Sequence, residues 1–332
     1  MTDGQCQPVA VSRRIAAPAH SIFEILANPV RHPEFDGSGA LRGARTTTVI
    51  SGVGDVFVMK MYYDHLGDYE SNNHVVEYEP DRRIGWEPEA GHGHPAAAAE
   101  GGERDRWRHR WSYQLTPDGP DATVVTEIYD CSRAPQDARA MMDNGNVWRQ
   151  GMATTLQRLD ALCTHPGLHI IGSLRSAGGK GVVRMQDRFG TTIDDVWSAL
   201  TDPRRLAHWY GEITGDLRAG GEYHAHLTAS GWEGTGRIEV CEPPRRLRTA
   251  TKESDGPGEG GTEVTLTADG GQTVLVAEEW GMPLELIAAY GAGVQIHVED
   301  LASYLAGRDR GDVEARWKEL QPAYERLAAD LG

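Results

Sequence analysis

Hydrophobic and polar positions alternate most strictly in the segment RWRHRWSYQL, residues 106–115. Strict alternation predicts a β-strand with one face in water and one face buried. The water-facing positions include three arginines, whereas the other face combines aromatic rings with an imidazole. The residues of that second face are Trp107, His109, Trp111, Tyr113 and Leu115. The pattern alone leaves open whether this face belongs to a solid core or lines a cavity.

The same order of patterns occurs twice along the chain. Each copy opens with an alternating segment, residues 9–15 in the first and 182–189 in the second. An amphipathic stretch follows and breaks at Asn28-Pro29 in the first copy and at Asp202-Pro203 in the second. Each copy therefore predicts a strand, a short helix, a break and a second short helix.

The repeat continues through the later parts of each copy. The segments YEPDRRIGWE (78–87) and CEPPRRLRTA (241–250) predict tight turns between antiparallel strands. We pair DATVVTEIYD (121–130) with GTEVTLTADG (261–270). Each copy closes with a predicted long helix, and a further amphipathic helix follows the second copy. These three helical segments span residues 136–163, 283–305 and 312–331.

The repeat indicates a duplication of a unit of about 150 residues, an ordinary domain size. We predict a first domain over residues 1–164 and a second over 182–332, the latter including the C-terminal helical extension. The stretch 165–181 between them is rich in glycine and serine, which is typical of a linker.

Each unit is predicted to be α+β, with a curved antiparallel sheet wrapped on a long C-terminal helix. A strongly curved sheet under one long helix leaves space in which a ligand can sit. Plain helix–sheet packing without such a space is the alternative. Alternation places Met59, Tyr63 and their neighbours on the inner face of the first sheet, and Tyr223 on that of the second.

The composition excludes several classes of protein. A net charge of −16 argues against nucleic acid as the main partner. No apolar run is long enough to cross a membrane, so no membrane insertion is expected. The four cysteines form no CxxC pair and no signal peptide opens the chain, which favours reduced thiols in the cytoplasm.

The motifs IFEILANP, VVEYEPDRRIGWE and TVVTEIYD resemble the START-like helix-grip superfamily, also called SRPBCC. The first copy is similar to its polyketide cyclase/dehydrase-like branch. The second copy carries VWSALTDPRRLAHWY, AGGEYHAHL, GRIEVCEPPRRL and WKELQPAYERLA, and resembles the branch named after activators of a heat-shock ATPase.

This resemblance implies two tandem helix-grip domains and no cofactor, but fold does not determine function. The superfamily includes lipid carriers, hormone receptors and aromatase/cyclases. We therefore expect a hydrophobic, aromatic, polyketide-like or lipid-like small molecule in the cavity, with cyclase or dehydratase chemistry as one outcome. The alternatives are a sequestering, carrier or resistance protein without chemistry, or a scaffold or homodimerisation module.

The candidate site lies mainly in the first copy. His109 is the one side chain of the aromatic stripe that titrates near neutral pH, so it is the first candidate for proton transfer, with Tyr63 or Tyr113. A satisfied core histidine is the alternative. Two histidines in GHGH (91–94) lack further spaced ligands, so no metal site is predicted. The predicted ligand-binding residues are Met59, Trp86, Trp107, Trp111, Met141, Asn144, Trp148, Trp209, Tyr223, Trp232, Trp280, Tyr290 and His297.

Overall fold

The structure is a computed structural model that describes residues 7–63, 65–97, 108–165, 167–252, 259–329 and 331. The chain divides into two compact units, Met1–Gly167 (unit 1) and Leu168–Gly332 (unit 2). Each unit is an antiparallel sheet with a long C-terminal helix against its inner face, which confirms the predicted α+β helix-grip class.

Unit 1 has one seven-stranded antiparallel sheet in the order β1-β7-β6-β5-β4-β3-β2. The two short helices, α1 and α2, are separated by a 3-10 turn at Pro29–Arg31. The strands are β1 (Val9–Ile15), β2 (Leu41–Ala44), β3 (Val56–Tyr63), β4 (Gly67–Glu79), β5 (Arg83–Ala90), β6 (Arg110–Pro117) and β7 (Thr123–Asp130); the helices are α1 (Ala19–Leu26), α2 (His32–Phe35), α3 (Gln136–Met141) and α4 (Arg149–Thr164).

Unit 2 repeats this arrangement and adds a strand and a helix. Its sheet has the order β10-β11-β12-β13-β14-β15-β9-β8, in which β8 has no counterpart in unit 1. The strands are β8 (Gly172–Ala177), β9 (Lys180–Phe189), β10 (Gly211–Gly215), β11 (Glu222–Leu227), β12 (Glu233–Glu242), β13 (Arg246–Lys252), β14 (Glu259–Asp269) and β15 (Gln272–Met282); the helices are α5 (Ile193–Thr201), α6 (Pro203–Trp209), α7 (Ile287–Leu305) and α8 (Val313–Ala328).

Equivalent residues of the two units perform equivalent local tasks. Asn28 caps the 3-10 turn by accepting from the amide of Val30, and Asp202 caps α6 in the same way from Arg204. Because these caps satisfy backbone donors at the same point of each copy, the Asn-Pro and Asp-Pro breaks were readable in the sequence.

The pairing of later strands between the copies was wrong by one strand. The segment 121–130 forms β7, which pairs with the first strand, β1. Its counterpart is β15, which pairs with β9, whereas 261–270 lies in β14. Neighbouring antiparallel strands alternate with the same period, so the pattern does not distinguish one from the next.

The predicted linker is also corrected. Residues 172–177 form β8, and Gly178 and Gly179, both with positive φ, turn the chain directly into β9. The two glycines therefore make a tight hairpin rather than a flexible spacer.

The first closing helix is interrupted. Asn144 and Gly145 have positive φ, so α3 and α4 are separate helices joined by a 3-10 turn. Gly145 packs against Tyr129, since a Cβ there would lie 2.6 Å from the Tyr129 ring. The α3 end turns outward: Met141 is 82% exposed and Asn144 is exposed. Both were predicted to bind ligand, and the break in the helix leaves them on the surface of unit 1.

Candidate functional site

The aromatic stripe of β6 divides between two environments. Trp107 lies outside the described residues. Trp111 packs on Tyr129 with ring centroids 4.5 Å apart, and on Trp148 at 5.9 Å. His109 meets Tyr129 edge-on at 5.3 Å. These four rings, His109, Trp111, Tyr129 and Trp148, form the ring cluster beneath the start of α4, in which Tyr129 contacts each of the other three and Trp111 also contacts Trp148.

The buried position of His109 makes its imidazole a poor proton carrier. Burial lowers the pKa of its imidazole to about 4, and the carboxylate of Glu87 opposes this only in part. The ring is therefore neutral at physiological pH and a weak base.

Tyr113 lies deeper in the unit and contacts a residue that the sequence reading did not single out. Its hydroxyl donates a hydrogen bond of 3.0 Å to Oε1 of Glu127. Glu127 is 4% exposed, and burial raises the pKa of its carboxyl to about 8. Among the described residues, no group hydrogen-bonds the buried Oε2 of Glu127. This carboxyl is the strongest chemical feature of the interior of unit 1.

Glu127 faces inward because of the pleat of β7. Val125, Glu127 and Tyr129 alternate with outward residues and are all buried. Glu127 stands opposite Val11 of β1 and Tyr113 of β6. The signal in the sequence was a glutamate at an inward position of the segment TVVTEIYD, between a valine and a tyrosine that share its face.

Tyr63 brings a second phenol to the inner face of this sheet. The half-buried Tyr63 stacks on Tyr69 with ring centroids 6.3 Å apart, and burial raises the pKa of the Tyr63 hydroxyl. The negative charge of Asp36 also raises the pKa values of Tyr63 and Glu127, so Asp36 lies close enough to act on both. The inner face thus combines an acid with phenols in surroundings that disfavour charge.

The apolar wall beside this acid includes two predicted residues. Met59 is 2% exposed and belongs to the main core cluster of the unit, and so does Trp86. Trp86 stacks on His32 of α2 at 5.4 Å with an interplanar angle of 20° and lies 5.8 Å from the Tyr113 ring. Trp86 therefore connects the polar interior to the core.

The loop after α2 is held tightly against α4. The Gly37 amide donates to Oγ1 of Thr155 at 3.0 Å, and Nη1 of Arg158 donates to the Asp36 carbonyl at 2.6 Å. A Cβ on Gly37 would lie 2.1 Å from the carbonyl oxygen of Gly151, so only glycine permits this approach. The loop after α2 is thus clamped to the closing helix.

Unit 2 has its own buried acid. Glu279 of β15 faces α7 opposite Val183 and Thr262, and burial raises the pKa of its carboxyl to about 7. Its side chain is half-buried. The pKa of the Tyr210 hydroxyl is raised by burial and by the charge of Glu279, and His297 of α7 meets the Tyr210 ring at 5.0 Å.

The two acids occupy different places in the duplicated fold. Thr123 and Thr273 are equivalent, because each begins the last strand and donates to the backbone carbonyl of Ala17 or Thr191. Counting from these threonines, Glu279 takes the place of Tyr129, and the place of Glu127 holds Ala277. The acid of unit 2 is thus displaced by one inward position, about 7 Å along the strand.

The remaining predicted residues of unit 2 fall into three groups. Tyr223 faces inward, with its ring over Gly236. Tyr290 is half-buried and lies seven residues, about two helical turns, before His297 on α7. Trp209 is 4% exposed and donates to the Ala199 carbonyl, which is a packing role. Trp232 lies against Gly234 at the start of β12.

The prediction that Trp280 lies in the interior of unit 2 was wrong. It follows the inward Glu279, so the pleat turns its side chain to the outer face of the sheet, away from α7.

Within the described part of the chain, no three His, Cys, Asp or Glu residues are grouped as a metal site requires. In the same residues, no helix combines the length and the apolar character needed to span a bilayer.

Each unit has the helix-grip fold that its motifs resemble, so the chain carries this fold twice in tandem. Residues 190–306, which include most of the unit 2 sheet and α7, match the family described as Activator of Hsp90 ATPase homolog 1-like protein. This match agrees with the resemblance of the motifs in the second copy to that branch.

Individual relatives were also compared. The chain is 34% identical over 125 residues to the uncharacterized protein Rv0088 of Mycobacterium tuberculosis; the match covers 37% of this chain and 48% of that protein, so the chain spans about half the length of its relative. The crystal structure of CalU16 from Micromonospora echinospora is 27% identical, with a TM-score of 0.41, and covers 48% of this chain and 96% of its own. The di-domain ARO/CYC BexL from the BE-7585A biosynthetic pathway is 13% identical, with a TM-score of 0.35, over 96% of this chain and 99% of its own.

Proposed function

We propose that unit 1 binds a small, largely apolar, ring-bearing molecule between its sheet and α4, and that Glu127 hydrogen-bonds a carbonyl oxygen of that molecule. The observation that carries this proposal is the buried carboxyl of Glu127, whose Oε2 atom has no hydrogen-bond partner among the described residues. Buried polar atoms normally have a hydrogen-bond partner, so a buried oxygen without one in an aromatic interior is a position where a polar group of a ligand can bind.

The protonation state of Glu127 sets the kind of ligand. With a pKa of about 8, the carboxyl is mostly protonated at neutral pH. Tyr113 donates to Oε1, so the proton sits on Oε2, and Glu127 presents a donor to the interior. The complementary group on the ligand is an acceptor such as a ketone. This favours an oxygenated aromatic or polyketide-like molecule over a plain hydrocarbon.

The same arrangement supplies acid chemistry. A protonated carboxyl that hydrogen-bonds a ketone activates its carbonyl carbon for attack by the enol carbon of a poly-β-keto chain. The new carbon–carbon bond forms as the C=O π bond breaks, the carbonyl oxygen takes the proton of Glu127, and the enol O–H returns a proton to the Glu127 carboxylate. Glu127 takes the role of acid, while Tyr63 and Tyr113 orient the chain through their hydroxyls. Holding the reacting carbons near one another contributes much of the acceleration. In this scheme His109 contacts the ligand and moves no proton.

A carrier without chemistry is the second candidate. The ring cluster favours it, because rings packed on one another bind a flat molecule by stacking and offer no neutral-pH base. Unit 2 would bind a differently shaped molecule, since its acid is displaced along the strand. Homodimerisation and a cytoplasmic location remain predictions from the sequence.

Binding is tested by titrating the full-length protein with dihydroxyanthraquinone, whose fused rings flank a carbonyl, and following tryptophan fluorescence. Glu127→Leu should weaken binding about 3- to 10-fold, because one hydrogen bond contributes roughly 1 kcal/mol. Glu127→Gln keeps a donor in place and should bind almost as the wild type does. The matched control is Glu79→Leu at the exposed end of β4. Equal affinity of Glu127→Leu and the wild type would refute the proposal.

Chemistry is tested separately with a linear poly-β-keto thioester. An enzyme yields cyclised product, and Glu127→Gln abolishes turnover while the probe still binds. His109→Ala should keep turnover; if it abolishes turnover instead, His109 and not Glu127 transfers the proton. A carrier yields no product above the uncatalysed background but retains a small molecule in native mass spectrometry of protein from its own host. Trp111→Ala should weaken binding in both cases.

A further inference from the structure

A groove of about 620 Å³ lies on the outer face of the unit 2 sheet, on the side away from α7. It crosses β8, β9, β15, β14 and β13, and its size is within the range of small-molecule sites. The groove is separate from the interior position of Glu127 and from that of Glu279.

An indole forms the centre of this groove. Trp280 stands opposite Gly261, where a Cβ would lie 2.5 Å from the indole Cζ2 atom, so the missing side chain makes room for the ring. The guanidinium carbon of Arg248 lies 4.6 Å from the centroid of the indole ring. Val182 and Val276 line the groove beside it. Arg248 covers one face of the indole, so a second ring would pack against the remaining exposed part of the indole and the adjacent valines.

The charges around this indole are unequal. Arg175 is paired with Glu278 at 2.5 Å, and Arg248 is paired with Glu239 at 2.8 Å and with Glu263 at 3.2 Å. Lys180 also lines the groove, and within the described part of the chain its ammonium forms no ion pair. The paired arginines are neutralised by their partners, so Lys180 is the cation that remains for a ligand.

Two features absent from unit 1 build this groove. The added strand β8 and its hairpin to β9 carry Arg175 and Lys180. A register shift follows Trp280 at Gly281, which has a φ of +97°, whereas β7 pairs with β1 without a shift. Bulges of this kind redirect a side chain and recur beside binding sites.

We propose that this outer groove binds a small aromatic carboxylate, with its ring packed against Trp280 and its carboxylate on the ammonium of Lys180. The ring of such a molecule matches the partly exposed indole beside Arg248, and its charge matches the lysine. A neutral aromatic molecule would satisfy the indole alone, and a simple anion would satisfy the lysine alone. The proposal is independent of the interior ligand of unit 1.

The test uses naphthoate as the probe and the full-length protein, with affinity measured by isothermal titration calorimetry and contact by saturation-transfer NMR. Lys180→Met should weaken binding about 3- to 5-fold, as expected for one partly exposed charge pair. Trp280→Leu should weaken it about 10-fold through lost stacking and apolar contact. Naphthalenemethanol, the uncharged analogue, should bind the wild type as weakly as naphthoate binds Lys180→Met.

The controls separate this groove from the interior. Lys60→Met removes an exposed lysine from the outer face of the unit 1 sheet and should leave naphthoate affinity unchanged. Glu127→Leu should also leave it unchanged, so failure of the interior proposal does not affect this result. Unaltered naphthoate affinity in both Lys180→Met and Trp280→Leu would overturn the proposal, and so would equal affinity of the wild type for naphthoate and naphthalenemethanol.

Discussion

Replacing Glu127 with glutamine should change how the stability of unit 1 depends on pH. Glutamine keeps the shape of the side chain, its carbonyl still accepts from Tyr113, and its amide takes the place of the protonated Oε2. It removes the titrating proton. The substitution therefore isolates the cost of ionising a carboxyl in this interior.

The magnitude follows from the raised pKa. Glu127 titrates at about 8 in the folded protein against an ordinary value of 4.5. Between these values the folded state binds a proton that the unfolded chain has lost, so stability falls as pH rises. One pKa unit corresponds to about 1.4 kcal/mol. From about pH 5.5 to about pH 8, Glu127 should therefore lower the free energy of unfolding by about 3 kcal/mol.

The assay is urea denaturation at both ends of this pH range for the wild type and Glu127→Gln. The wild type should lose about 3 kcal/mol more than the variant over the interval, and the variant should be the more stable protein at the alkaline end. Contributions from unit 2 cancel in the difference, because distant sites are additive. Glu79→Gln, at an exposed position, should follow the wild type. Parallel pH dependence of the wild type and Glu127→Gln would show that this carboxyl is not held protonated.

Three further changes test other parts of the structure. Tyr113→Phe removes the hydrogen bond that favours the ionised form of Glu127, so the pKa of Glu127 should rise further, as read from the pH dependence of urea midpoints. Glu279→Gln should remove a separate titration near pH 7 from carboxyl-region NMR spectra and leave that of Glu127 in place. Gly37→Ala forces a methyl group onto the Gly151 carbonyl and should lower the stability of unit 1 by about 1–3 kcal/mol in urea titrations; an unchanged midpoint would contradict the close packing of this loop on α4.

The duplicated fold was predictable because its signals are local. Caps at Asn28 and Asp202, and the tight turns after the two Glu-Pro motifs, depend on residues within a few positions of one another. The strand pairing of 121–130 failed because alternation has the same period in every strand of a sheet. Gly178 and Gly179 were read as part of a linker because glycine suits a flexible segment and a tight hairpin alike.

The candidate site was predictable only in part. Inward positions such as Met59, Tyr113 and Tyr223 follow from alternation, and the structure places them on inner faces. Trp280 was predicted on the wrong face because neighbouring residues of a strand point to opposite faces, so an error of one residue reverses the assignment. Glu127 was missed because a glutamate in a strand is usually a solvated residue, and its chemistry depends on the strands that flank it.

The amino-acid sequence by itself determined two copies of a curved sheet with a closing helix, because periodicity, caps and turn residues act over short distances along the chain. Only the tertiary structure decided which side chains meet. Glu127 became an acid with a raised pKa because burial between β1 and β6 excludes water from its carboxyl. Desolvation is a property of surroundings assembled from distant segments, so no local pattern encodes it.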